Sequence, residues 1–109
     1  MEKEMEPLES DLTVVDENNV IKLSRPMADG KDSIVFDFNR INGYALLKCG
    51  KLARKEDKTI VVLETSKVYQ AYVAAAASGL KYDDILSLSA RDFTAVCLGV
   101  QNFLLDAYQ

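Results

Sequence analysis

The chain has 109 residues, a formal charge of −4, 49% apolar and 28% charged residues. Those are the proportions of one small globular domain, which excludes a multi-domain enzyme. There is no histidine, which removes Ser-His-Asp and Cys-His nucleophile systems and the usual zinc and iron sites.

The acidity is local. Residues 1–12 set Glu2, Glu4, Glu6, Glu9 and Asp11 against Lys3, and this accounts for the whole balance of −4. Pro7, few apolar side chains and no periodicity predict a flexible acidic tail over 1–18, outside a single domain at 19–109. Docking of that tail on a basic partner is the alternative. The opening run MEKEMEPLES is acidic where a signal peptide is basic and then apolar. No run approaches the roughly 18 apolar residues of a membrane span.

Ile21 and Leu23 alternate with Lys22 and Ser24, the period of a half-buried strand. Pro26 limits pairing at that end, and Asp29-Gly30 is a turn signal. Ile34, Phe36 and Phe38 then share one face, with Ser33, Val35 and Asp37 on the other. The spacing predicts a β-hairpin over 19–38, whose apolar face must lie on helices.

Asn42 is a candidate N-cap for a helix over 43–56. Ala45, Cys49 and Leu52 give its apolar line, widened by Tyr44 and Ala53. Lys48, Lys51, Lys55 and Lys58 form a basic stripe on another face. Residues 58–64 fit either a third short strand or an apolar loop. Thr65 or Ser66 caps the next helix, 66–78, which ends at Gly79. Tyr69, Tyr72, Val73 and Ala76 make its core face, and the run Ala74 to Ala77 combines helix propensity with close packing.

Residues 80–88 predict a short helical turn. Ser89-Ala90-Arg91-Asp92 resembles a capping box with aspartate for the usual Glu or Gln. It opens a last helix, 90–106, with Phe93, Val96, Cys97, Val100, Phe103 and Leu104 on a broad core face. Leu98 and Leu105 fall on the other side with Thr94 and Gln101. A helix apolar nearly all round is either central to the core or completed by a partner. The fold class is therefore α+β: an N-terminal β-hairpin packed on a bundle of three main helices plus a short helical turn.

Candidate chemistry is sparse. Asp83-Asp84 would suit acid–base work or a hard cation, but favourable interaction with a helix dipole explains the pair more simply. Asp16-Glu17-Asn18-Asn19 lacks EF-hand spacing. No glycine pattern forms a phosphate cradle. Cys49 and Cys97 form no CxxC and have no histidine to activate them, so buried, inert thiols in a reducing cytoplasm are expected. Apart from the acidic head the chain is neutral, and no nucleic-acid-binding signature accompanies the lysines.

In the second half, Val68-Tyr69-Gln70-Ala71-Tyr72-Val73-Ala74-Ala75-Ala76 is followed by Gly79-Leu80 and Asp83-Asp84-Ile85-Leu86-Ser87-Leu88. Ser89-Ala90-Arg91-Asp92-Phe93 and Val100-Gln101-Asn102-Phe103-Leu104 come next. This order resembles the tail assembly chaperones of long-tailed bacteriophages and prophages. In that family an alanine-rich helix with a glycine stop precedes a "DDLL-L-ARDF" turn and a terminal helix ending in "V-NFL". Ile41-Asn42-Gly43-Tyr44-Ala45-Leu46 stands where relatives often read L-T-G-x-D-L. The resemblance spans roughly 19–106; the acidic head is not part of it, and Asn42 replaces a frequent threonine.

The resemblance implies a non-catalytic protein of the bacterial host cytoplasm that binds the tape measure protein and keeps it soluble during tail morphogenesis. Self-association and contact with the tail tube protein are further implied partners; no cofactor, metal, nucleic acid or membrane is expected. A minor structural tail component, such as a connector or tail completion protein, is the alternative. Leu98, Leu105, Phe103 and Leu104 are candidates for the binding surface, with Lys48, Lys51 and Lys55 as basic contacts. Phe103 and Leu104 are also candidates for core, the reading favoured for both.

Overall fold

A computed structural model describes residues 19–106. The head assigned to a tail, 1–18, lies outside the described residues, as do 107–109. The elements are β1 (Val20–Lys22), β2 (Ser33–Val35), α1 (Gly43–Glu56), α2 (Lys67–Ser78), α3 (Tyr82–Leu86) and α4 (Ala90–Asp106), with 3-10 turns at Phe38–Arg40 and Leu63–Thr65. This is the expected α+β arrangement of a hairpin followed by three main helices and a short one.

The strands pair antiparallel, with Val20 opposite Val35, Ile21 opposite Ile34 and Lys22 opposite Ser33. The ladder is shorter than the 19–38 expected. Past it, the Leu23 N–H donates to the Asp32 carbonyl (2.9 Å) and the Met27 N–H to the Lys31 carbonyl (2.8 Å). Gly30 closes the loop at φ +92°, a left-handed conformation glycine adopts without steric penalty. At the other end the Asp37 N–H leaves the ladder for the Ala77 carbonyl (2.9 Å). Phe38 therefore starts a 3-10 turn instead of extending β2, although its ring stays beside Phe36 (centroids 5.2 Å).

Helix limits follow local capping. The Asn42 side chain accepts from the Ala45 N–H at 2.9 Å, and Ser66 accepts from the Tyr69 N–H at 3.2 Å. Gly79, at φ +76°, ends α2 in a left-handed cap. The Ser89 hydroxyl accepts from the Asp92 N–H at 3.2 Å. The uncertain stretch 58–64 is a loop running into the 3-10 turn. Ile60 and Leu63 pack against the core from it, while Val61 and Val62 are exposed.

One open alternative is decided and one expectation is corrected. The sequence leaves α4 either central to the core or completed by a partner; the central helix is α2. Tyr69, Gln70, Ala71, Val73, Ala74, Ala75 and Ala77 are all buried, and α1, α3 and α4 each pack on α2. Its alanines let three neighbours approach closely, which bulkier side chains would prevent. Tyr44 does not widen the α1 core face; it is 84% exposed. Tyr44 and Ala53 are nine residues apart, about half a turn out of phase at 3.6 residues per turn. With Ala53 fully buried, Tyr44 must point outward.

The hairpin lies on α4 at Gly99. A Cβ there would sit 3.2 Å from Phe36 Cε2 and 3.6 Å from Ile21 Cδ1. Phe93 and Phe103, expected in the core, are half-buried at its margin.

Candidate interaction surface

The polar groups with the most pronounced environments are structural. Asp92, 2% exposed, accepts from the Ser24 N–H at 3.0 Å with each carboxylate oxygen. Its Oδ2 also accepts from the Ser24 hydroxyl at 3.0 Å. The Ser24 N–H, aided by the Ser24 and Ser89 hydroxyls, holds the Asp92 carboxyl below its ordinary range despite burial. Asp92 was expected to complete a capping box. Its side chain instead reaches the chain just after β1, a partner 68 positions away.

Glu56, at the end of α1, forms a second joint. Its carboxylate accepts from the Tyr72 hydroxyl (3.0 Å) on α2 and the Tyr82 hydroxyl (2.6 Å) on α3. The two rings stack with centroids 3.8 Å apart and planes 5° apart. Desolvation, then the hydrogen bond to Glu56, raises both phenols above their usual range.

Asp84 accepts from the Lys81 N–H at 3.1 Å, and with Asp83 it sits in the first turn of α3. That is the structural role expected for the pair. Cys49 and Cys97 are buried free thiols, and burial pushes both upward despite the lysines nearby. Among the described residues, no three metal-ligating side chains are grouped to hold an ion.

The seven residues singled out for binding do not form one site. Lys48, Lys51 and Lys55 are exposed on α1; none forms an ion pair with a described residue. Leu98 (54%) and Leu105 (39%) are exposed on α4, seven positions apart. Leu104 is buried in the core. Phe103 is half-buried and stacks on Phe38, with centroids 4.0 Å apart. Phe103 thus packs on the turn after β2 and Leu104 in the core, instead of on the outer face.

The structure adds two residues that sequence reasoning missed. Tyr44, with Leu47 at 68% exposure, joins the lysines on the outer side of α1. Positions 44, 47, 48, 51 and 55 follow spacings of three and four, which place them on one helical face. The shared phase of these positions is the sequence signal for the strip. The result is a continuous strip, apolar at its start and cationic toward its end. No described helix is long and apolar enough to cross a membrane.

In comparisons with known proteins, the chain matches no family model, and no curated protein or solved structure gives a match.

Proposed function

We propose that this chain is a tail assembly chaperone of a long-tailed phage or prophage. It acts in the bacterial cytoplasm without catalysis, binding the tape measure protein until tail tube subunits polymerise around it. The observation that carries this reading is the outer face of α1, where Tyr44 and Leu47 are largely exposed beside Lys48, Lys51 and Lys55. A contiguous apolar patch rimmed by charge is a feature of protein-binding surfaces. An amphipathic helical client with acidic flanks would lay its apolar stripe on the two large side chains and its carboxylates on the lysines. The resemblance over 19–106 supplies the client class. Leu98 and Leu105 on α4 offer a second apolar strip, which we assign to self-association.

Co-expression with the tape measure protein of the same phage or prophage tests the reading. The expected result is a soluble tape measure protein that co-purifies with this chain. Failure of pull-downs to recover it, with its solubility unchanged, overturns the assignment. Mass spectrometry of purified virions should find the chain missing; its presence there would favour a connector or completion protein instead.

A further inference from the structure

The lysines of the strip on α1 form no ion pair with a described residue, while the most acidic run of the chain lies just before the described residues. We propose that residues 2–12 dock in cis along the outer face of α1. Their carboxylates would face Lys48, Lys51 and Lys55, and Met5, Leu8 and Leu12 would lie toward Tyr44 and Leu47.

Charge complementarity carries the inference. Glu2, Glu4, Glu6, Glu9 and Asp11 against Lys3 give a segment of −4. Lys48, Lys51 and Lys55 present three exposed positive charges at helical spacing on one face of α1. The segment also brings three apolar side chains to the two large ones exposed there. Individually weak surface ion pairs add when they form an array, and covering Tyr44 and Leu47 contributes an apolar term besides.

Chain length permits it. The Asn19 carbonyl accepts from the N–H of Phe36, which places the start of the described chain beside a residue only eight positions before Tyr44. At about 3.4 Å per residue, Tyr44 lies within roughly 32 Å of Asn19. From Tyr44 to Lys55 the helix rises about 17 Å. Together these are about 49 Å, within the roughly 60 Å that 18 extended residues span. The inference depends on neither the client nor the phage assignment.

Zero-length carbodiimide crosslinking of the full chain, read by peptide mass spectrometry, tests it. The expected crosslinks join acids of residues 2–11 to Lys48, Lys51 and Lys55 in the monomer band. They should fade at roughly 1 M salt, where the Debye length is about 3 Å. Equal crosslinking to Lys22, Lys31, Lys67 and Lys81 would overturn it, because the segment would then have no preferred place. Crosslinks confined to a dimer band would overturn it too, naming a second copy as the source. In a full-length variant with Glu2, Glu4, Glu6 and Glu9 changed to Gln, amide resonances of 44–55 should shift while those of α2 stay. Unmoved α1 resonances would be contrary evidence independent of lysine reactivity.

Discussion

Asp92 and Glu56 each join separate elements through carboxylate oxygens, Asp92 in a sealed setting and Glu56 at the surface. Asp92 ties the chain after β1 to the start of α4 and is almost wholly buried. Glu56 ties α1 to α2 and α3 through two tyrosine hydroxyls and is exposed. At the first joint the charge is integral. Removing it would leave the Ser24 N–H without its acceptor in a partly buried setting, where such groups are costly. At the second, water can replace any lost hydrogen bond, and the stacked rings supply the durable contact. A carboxylate thus fixes position at the hairpin joint and mainly orients aromatic partners at the helix joint.

The comparison can be broken at four strengths. The largest effect is expected from Phe36→Ala, which removes the ring seated over Gly99 and should cost about 3–5 kcal/mol, read by urea unfolding. Asp92→Asn should be milder. It also changes the acid response. The native Asp92 carboxyl titrates below its ordinary value, so its contribution is present above about pH 4 and lost as pH falls through the lower folded-state value. Wild type should lose stability in that acid window, and the variant should lose less. A variant with the wild-type acid slope would remove Asp92 from this account.

Tyr82→Phe should cost only about 0.5 kcal/mol at neutral pH, because the stack survives and the hydrogen bond is solvent-accessible. Its signature is alkaline. With the folded phenol raised, its contribution is complete below about pH 10 and declines as pH climbs toward the higher folded value. The wild-type stability curve should therefore fall more steeply above pH 10 than that of the variant. The smallest folding effect belongs to Leu98→Lys with Leu105→Lys, each within about 0.5 kcal/mol of wild type. Analytical ultracentrifugation should nevertheless show weaker self-association. A collapsed thermal transition would place these leucines in the core.

Most element limits were legible because capping is local. Asn42, Ser66, Gly79 and Ser89 each act on amides or carbonyls within one turn, so short sequence windows contain the physics. The identity of the central helix was not legible. Alanine carries little hydrophobic signal, yet Ala71, Ala74, Ala75 and Ala77 let α2 be surrounded, whereas α4, with its larger apolar side chains, keeps a solvent face with Leu98 and Leu105. Asp92 looked like a cap because its near neighbours fit one; Ser24 is distant in sequence and only folding brings it close. Of the surface, Leu98, Leu105 and the lysines were found from periodicity. Tyr44 was misplaced because its aromatic ring outweighed its phase relative to Ala53. Leu104 was separated from Leu105 only by the helical turn that buries one and exposes the other.

Cys49 and Cys97 give these contrasts a time axis. Each thiol is sealed, one in α1 and one in α4, and thiol reagents need both access and thiolate. Labelling therefore waits for its helix to open, and the two rates report two opening free energies within one unmodified molecule. A common rate would mean that α1 and α4 leave the central helix together. Earlier labelling of Cys49 would mean that α1 detaches while the hairpin still holds α4, and that the strip carrying Tyr44, Leu47 and the lysines can move as a unit of its own.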